Sequence, residues 1–476
     1  MVYLSVAHFQ GCKKKIAVFG LARSGLAVSL LLYSEGYEVV VWDDNPDNRT
    51  KLSSDYPELR FSNLYYDNAW DDVGVLLVSP GISHLYSDQH PIIQSAIKAG
   101  VVIDNDIGLF FNRNRNIYKY RTIAVTGSNG KSTTTSLISF LLSSIGINAK
   151  AGGNIGTAIS SLVPDTIPAK ENSCVVLELS SYQLELASDL SPEIAVFTNL
   201  SSDHLDRHNG IGGYFAAKRR LFDCAVSSTC LRTAIIGVNE VEGKFLANNM
   251  LSKGIDVICI SDSKPSSVSK WCIYADKEGV IHEVKEGIDI YSFDSNNIPT
   301  LKGSHNLQNV CTAYAACRAY GIEALLISKH VADFPGIAHR LELLGVKNRI
   351  HVINDSKATN IDSVSKALHS WSRIHLIMGG QNKDGSQPSS LNYLMDRVKA
   401  LYFIGESSEY FYDSINHDTK IMCITMENAW KQIIERVDQG DTIMLSPGCA
   451  SFDQYKSFED RGDSFRKIAM EWLNAD

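Results

Sequence analysis

The segment Gly127-Ser-Asn-Gly130-Lys131-Ser132-Thr133 has the residue types and spacing to hold a polyphosphate. A glycine turn at a helix start aims backbone N–H groups at phosphate oxygens, a lysine there reaches the β and γ phosphates, and the next hydroxyl can bind Mg²⁺. Gly127, Asn129, Gly130, Lys131, Ser132 and Thr133 are therefore the candidate nucleotide-binding residues, with Lys131 also catalytic and Ser132 also a metal ligand. Val125 stands where the usual phosphate loop has its first glycine, so this loop is a short version. The bland alternative is a glycine-rich turn with a solvated lysine. The apolar run 122–125 before the loop and the helical stretch after it count against that alternative.

A phosphate-bound Mg²⁺ needs further oxygen or nitrogen ligands nearby. Glu178 closes the apolar run 174–177, and His204 follows the next one, 194–198. Both would then reach the carboxyl edge of a parallel sheet, where α/β proteins bind ligands. Taken singly, each reads as an ordinary loop acid or a structural histidine; their position after consecutive strands favours ligation. At the N-terminus, Gly20-Leu-Ala22-Arg-Ser-Gly25 with Asp43 eighteen residues further on nearly spells a dinucleotide fingerprint. Ala22 occupies the place of its second glycine, where a pyrophosphate would approach the backbone. That weakens a nicotinamide dehydrogenase reading. It leaves Asp43 either as an acceptor for a base or sugar or as a turn residue. Lys218 beside Arg219 and Arg220 reads by itself as part of a solvated basic face, and Lys383 as a turn lysine.

These residues need elements to carry them. Apolar runs at 16–19, 38–42, 73–78 and 101–103 alternate with helical stretches, one at 24–35 and one opened by Pro91, which predicts a parallel sheet with crossover helices. Polar and basic residues at 112–121 break the pattern. The next segment has strands at 122–125, 174–179 and 194–198, and an uncharged stretch 132–149 read as a soluble helix. Short β-like runs at 234–238, 257–260 and 271–275 predict an antiparallel extension, before a helix at 309–320. The last segment repeats the alternation, with strands at 350–353, 374–378, 401–404 and 442–445. The expected fold is α/β in three domains: a Rossmann-like domain at 1–115, a central P-loop mononucleotide-binding domain with added β-structure at 116–325, and a Rossmann-like domain at 326–476.

Composition permits this. A chain of 476 residues divides into about three domains at ~150 residues each. A net charge of −8 argues against a sequence-independent nucleic-acid binder, which needs surplus cations to displace counterions. The ten cysteines form no Cys-x-x-Cys pair and mostly lie in apolar runs, as in a reducing compartment. Lys13, Lys14 and Lys15 follow a weakly apolar start, the reverse of an export signal, and no membrane-spanning stretch is expected. The expected setting is cytoplasmic, with a monomeric chain and no membrane or nucleic-acid partner.

Several motifs together resemble the Mur ligase family, in the right order along nearly the whole chain: Ser128 to Thr133, Glu178-Leu-Ser-Ser-Tyr-Gln-Leu-Glu185, Asp203-His-Leu-Asp-Arg207, Ala216-Ala-Lys218, His305-Asn-Leu-Gln-Asn309, Ala338-His-Arg340, Asn354-Asp-Ser-Lys-Ala-Thr-Asn360 and Ser446-Pro-Gly-Cys-Ala-Ser-Phe-Asp-Gln454. The last, continuing through Phe458-Glu-Asp-Arg-Gly462, resembles the branch that handles D-glutamate. The resemblance implies an ATP- and Mg²⁺-dependent ligase acting on UDP-N-acetylmuramoyl-L-alanine and D-glutamate. It implies Glu178, His204 and a carbamylated Lys218 around the metals, with His204, Lys218 and Arg340 as catalytic residues. Asn309 would meet adenine, and Arg340 and Asp355 the phosphates and ribose, with His339 and Asn306 in the same set. Thr359, Lys383, Ser451 and Phe458 would hold D-glutamate. Ser24, Asp43 and Ser79 would lie at the UDP end, with Asn154 further along the precursor. A folylpolyglutamate-type ligase shares the ATP and C-terminal domains but lacks a UDP-binding domain like residues 1–115. A non-catalytic nucleotide-binding regulator is disfavoured by the full set of candidate metal ligands.

Overall fold

The computed structural model describes residues 15–84, 89–162, 172–201, 205–223, 231–264, 270–295, 298, 300–301, 304–382 and 387–475. The chain separates into two compact units, one of residues 1–297 with 304–332 and one of 298–303 with 333–476.

The first unit opens with a five-stranded parallel sheet: β1 (Lys15–Phe19), β2 (Val39–Trp42), β3 (Arg60–Phe61), β4 (Val73–Val78) and β5 (Val102–Asp104), in the order β3-β2-β1-β4-β5. Alternate residues feed two separate cores. Ile16, Val18, Val39, Val41 and Leu77 pack with Val28 and Leu32 of the helix Arg23–Ser34. Ala17, Phe19, Val40, Leu76 and Val78 pack with Ile92 and Ile93 of the helix Pro91–Lys98. Burial on both faces explains why these strands read as continuous apolar runs. The strand order reverses between β1 and β4, which opens a crevice at their carboxyl ends.

The polar stretch read as an interruption is instead helical. Asn105 caps the helix Asp106–Arg113 by accepting from Ile107 N and Gly108 N, and a single π-helical turn, Asn114–Tyr118, follows. Arg113 is buried and paired with Glu35 at 2.6 Å, so the polarity that looked like a linker is satisfied internally.

The second sheet of this unit has nine strands in the order β14-β13-β12-β11-β10-β9-β6-β8-β7. They are β6 (Arg121–Thr126), β7 (Asn148–Gly153), β8 (Ser173–Glu178), β9 (Ile194–Phe197), β10 (Thr233–Gly237), β11 (Asp256–Ser261), β12 (Trp271–Ala275), β13 (Val280–Lys285) and β14 (Ile288–Asp294). Two expectations are corrected. The helix after the loop ends at Ser144, and residues near Ala149 belong to β7. The runs expected to be antiparallel, β10 to β12, extend the parallel sheet; only β13 runs against its neighbours β12 and β14. The helix Val241–Ser252 between β10 and β11 makes that parallel crossover possible.

The second unit holds β15 (Glu342–Lys347), β16 (Ile350–Asn354), β17 (Ile374–Gly379), β18 (Val398–Ile404), β19 (Lys420–Ile424) and β20 (Thr442–Leu445), in the order β15-β16-β20-β17-β18-β19. All neighbours are parallel except β15 and β16. This sheet too has a core on each face. The protein is thus α/β with three sheets. Among the described residues no helix is long and apolar enough to cross a membrane, and the described cysteines are free and buried.

Candidate active site

β6 lies between β8 and β9, so the loop 127–130 emerges flanked by the ends of both neighbours. Two glycines are forced. Gly127 has φ 144°, and a Cβ there would lie 2.0 Å from Thr198 Oγ1; Gly130 has φ 79°, and a Cβ would lie 2.1 Å from Asn309 Oδ1. Only glycine allows both the backbone conformation and the close approach. The neighbouring strand end clamps the loop. Asn129 N donates to Asn199 Oδ1 at 2.9 Å, Ser201 N to Ser128 Oγ at 3.0 Å, and Thr198 Oγ1 to Asn129 O at 2.7 Å.

Two lysines converge on this loop. Lys131 begins the helix Lys131–Ser144 and its Nζ donates to Gly127 O at 3.0 Å and Ser128 O at 2.8 Å. Lys218, from the helix Ile211–Arg219, donates to the same Gly127 O at 2.8 Å and lies over the Tyr214 ring, 4.2 Å from its centre. Lys218 is 1% exposed, so the solvated-face reading is wrong. Its neighbours explain the miss. Arg220 points inward to Leu184 O and Ala187 O, while Arg219 forms an exposed pair with Asp223.

Glu178 ends β8 beside Val125 of β6 and is 2% exposed. Its Oε1 accepts from Asn154 Nδ2 at 2.9 Å, whereas Oε2 has no hydrogen-bond partner among the described residues. A buried carboxylate oxygen without a donor is costly unless something else occupies it. Ser132 and Thr133 are buried at the helix start, and Asn309 Oδ1 accepts from Thr134 Oγ1 at 3.4 Å. The structure therefore brings together Gly127, Asn129, Gly130, Lys131, Ser132, Thr133, Asn154, Glu178, Lys218 and Asn309. His204 lies outside the described residues, and among those described no cluster of three or more His, Cys, Asp or Glu side chains could hold a metal.

In the first sheet, Ser24, Gly25, Ser79 and Asp106 line a small cleft at the β1/β4 crevice. Ser79 Oγ donates to Gly20 O at 2.7 Å. Asp43 closes β2, and both its oxygens are engaged: Oδ2 accepts from Leu21 N at 2.7 Å and Asn48 Nδ2 at 3.1 Å, Oδ1 from Asn45 N at 2.9 Å. Sequence reasoning missed Asp106. It is 5% exposed, neither carboxyl oxygen has a hydrogen-bond partner among the described residues, and burial pushes its pKa up to about 6. The Ser24 hydroxyl, the Ile107 N–H and the Arg23 charge pull that value partly back down without completing a hydrogen bond to the carboxylate.

In the second unit, candidates gather at strand ends of the third sheet. Asp355 follows β16; its Oδ2 accepts from Ser446 Oγ at 2.8 Å and Oδ1 from Leu341 N at 3.1 Å, and burial pushes its pKa up to about 7. Arg340 Nε is buried and unpartnered among the described residues. His339 Nδ1 lies 3.1 Å from Asn354 Nδ2, its ring stands edge-on to Phe458, and burial lowers its pKa. Thr359 lies on the turn after β16, Ser451 on that after β20, and Phe458 at the start of the helix Phe458–Asn474. Lys383, which follows β17, lies outside the described residues. Arg461, from the Phe458–Gly462 motif, is buried beside these turns.

The family profile described as the Mur ligase middle domain matches residues 125–317, and that of the Mur ligase glutamate ligase domain matches 339–449. The chain is 44% identical over 460 residues to the UDP-N-acetylmuramoylalanine–D-glutamate ligase of Cereibacter sphaeroides, covering 95% of this chain and 96% of that one. It is 43% identical over 479 residues to the enzyme of the same name from Ruegeria pomeroyi, covering 99% and 100%. Among solved structures, the UDP-N-acetylmuramate–alanine ligase of Thermotoga maritima matches with a TM-score of 0.59 at 17% identity, over 96% of this chain and 100% of that one. A pseudomurein peptide ligase type C from Methanothermus fervidus matches with a TM-score of 0.53 at 15% identity, over 96% and 100%. At such identities the structures speak for the fold alone, but the near-full-length relatives go further: the chain belongs to the Mur ligase family.

Proposed function

We propose that this protein joins D-glutamate to UDP-N-acetylmuramoyl-L-alanine, with ATP converted to ADP and phosphate, in peptidoglycan precursor synthesis. The observation that carries the reading is the 43–44% identity, over 95–99% of the chain, to ligases with that name. A carboxylate oxygen of the precursor's alanine attacks the γ-phosphorus, the bond to the β-phosphate oxygen breaks, and ADP leaves. The amine of D-glutamate then attacks the acyl carbon, phosphate departs from the tetrahedral intermediate, and the nitrogen loses a proton.

The barrier is electrostatic, because an anion must approach a polyphosphate, and preorganised cations lower it. In this reading the loop 127–133 cradles the phosphates, with Lys131 against the γ-phosphate and Asn309 against adenine. Ser132, Glu178, His204 and a carbamylated Lys218 would hold Mg²⁺, and Glu178 Oε2, without a hydrogen-bond partner among the described residues, fits a cation ligand. When bound, Mg²⁺ supplies charge neutralisation on the phosphoryl oxygens. Carbamylation would turn the Lys218 amine into an anion by adding CO₂ with loss of a proton. Arg340 and Asp355 would contact the nucleotide. Ser24 and Ser79 would face the UDP end, with Asp43 as the clasp of the Gly20 loop and Asn154 further along the precursor. Thr359, Lys383, Ser451 and Phe458 would form the amino-acid pocket.

Three functional domains follow, two Rossmann-like ones at 1–115 and 326–476 and a P-loop domain at 116–325, in a monomer working in the cytoplasm where its nucleotide substrates are made. The test is phosphate release with the precursor and ATP while the amino acid varies. Release that depends on D-glutamate is expected, and release indifferent to it would sink the reading.

A further inference from the structure

Arg461 is the largest of the fully buried side chains among the described residues, at 1% exposure. It forms no salt bridge there, and each of its hydrogen bonds goes to a neutral oxygen. Nε donates to Ser356 Oγ at 3.0 Å, Nη2 to Ser356 O at 2.9 Å and Cys449 O at 3.0 Å, and Nη1 to Ala450 O at 3.2 Å. A buried guanidinium without a carboxylate carries a desolvation cost that carbonyl dipoles only partly offset. Burial accordingly pushes its pKa down to about 10, with Cys449, Asp453 and Tyr455 pulling it partly back up. Such a residue in a family enzyme invites the question of what its charge and geometry serve.

Its partners answer the question. Ser356 belongs to the turn after β16 that carries Asp355 and Thr359. Cys449 and Ala450 belong to the turn after β20 that leads into Ser451. A Cβ on Gly380 would lie 3.0 Å from Arg461 Nη1, so the start of the turn after β17, at Gly380 and Gln381, also packs on the guanidinium. That turn is locked to the β20 turn, with Gln381 N donating to Ala450 O at 2.9 Å and Ala450 N to Gln381 O at 3.0 Å. Phe458 lies one helical turn before Arg461, and its carbonyl accepts from Ser356 Oγ at 2.8 Å. One planar fork therefore touches the turns bearing Thr359 and Ser451, the start of the turn after β17 and the helix bearing Phe458. A lysine, with a point charge and no fork, could not bridge three turns at once.

We propose that Arg461 is the positioning residue of the amino-acid pocket: its fork holds the three turns in register, and its charge, hydrogen-bonded only to neutral oxygens, biases the pocket toward a dicarboxylate substrate. This rests on the reading that the second unit takes D-glutamate, and it adds a residue that reading does not use. The experiment uses the full-length enzyme and compares wild type with Arg461→Lys and Arg461→Gln, measuring KM for D-glutamate, KM for ATP and kcat. Arg461→Lys keeps the charge and loses the fork, so KM for D-glutamate should rise roughly tenfold; Arg461→Gln loses both and should raise it several-fold further. KM for ATP and the rate at saturating D-glutamate should stay within about threefold. An unchanged KM for D-glutamate, or equal rises for both substrates, overturns the proposal. If thermal melting shows that Arg461→Gln does not fold, Ser356→Ala decides. It leaves the guanidinium in place but removes one acceptor and the Phe458 tether, and it should raise KM for D-glutamate alone by about threefold. A wild-type enzyme indifferent to D-glutamate would refute the functional reading instead, and would do so before any variant is compared.

Discussion

Asp43 and Glu178 are both carboxylates at the carboxyl ends of parallel strands, one on the first sheet and one on the second, yet they are in opposite states. Asp43 has both oxygens occupied by Leu21 N, Asn45 N and Asn48 Nδ2, so it acts as a clasp for the loop it faces. Glu178 is more deeply buried, and one of its oxygens has no donor among the described residues. Position at a strand end is therefore shared by a structural acid and a ligand candidate. What separates them is whether their lone pairs are used. The sharpest way to break the comparison is Glu178→Gln. The amide still accepts from Asn154, so folding should survive, but the anionic oxygen is gone. Phosphate release at saturating substrates should fall roughly 10²- to 10³-fold, the cost of losing one preorganised charge, with the melting temperature little changed. A loss under about tenfold would place Glu178 with Asp43.

Asp106 extends the series, since neither of its oxygens has a hydrogen-bond partner among the described residues and burial pushes its pKa up to about 6. The sign is set by its raised value. Between the ordinary 3.8 and about 6 the folded protein keeps a proton that the unfolded chain releases, so stability falls as pH rises through that window. Above it the full penalty applies. Asp106→Asn should thus be more stable than wild type at pH 8, by on the order of 2 kcal/mol, and the gap should close toward pH 4. Denaturant unfolding at both ends reads this directly. Asp104, also raised to about 6, keeps a slope in both proteins, which is why the difference between them is the quantity to follow. An equal gap at both ends would mean that the acid is held by something other than burial.

Much of this was legible in the residues. The parallel strands stand out as unbroken apolar runs because both faces are buried, and the loop 127–133 stands out because glycine is required where Thr198 and Asn309 press on it. The strands after β9 were placed in the wrong sense because periodicity marks a strand but not its direction; the helix Val241–Ser252 that fixes the direction has its amphipathic pattern blurred by the exposed Val241, Phe245 and Leu251. Lys218 read as solvated because a sequence gives its neighbours' charge and not their separate directions. Asp106 left no signal and Arg461 only its place in the Phe458–Gly462 motif, since both are ordinary polar residues on helices, and what singles them out is burial with no ion pair among the described residues.

The smallest expected effect falls on Asp43, and it decides whether the clasp also touches ligand. Asp43→Asn replaces one carboxylate oxygen by an NH₂ group, which cannot accept from Leu21 N or Asn48 if it takes the Oδ2 place, nor from Asn45 if it takes the Oδ1 place. Hydrogen bonds to a charged group contribute about 1.5–3 kcal/mol and neutral ones about 1 kcal/mol, and Asp43 is partly solvated. The net loss in unfolding free energy should therefore be about 1 kcal/mol. If the carboxylate serves only the loop, KM for the nucleotide precursor should move less than about threefold, through slackening of the Gly20 turn that Ser79 also holds. If it also accepts from the ligand's base or sugar, the same change should raise that KM by roughly tenfold, the scale of one lost hydrogen bond to an anion. Melting curves alone would not separate the two cases, because both lose the clasp. Stability and precursor KM measured together would, and a large KM effect would remove the contrast with Glu178 by making both strand-end acids ligand contacts.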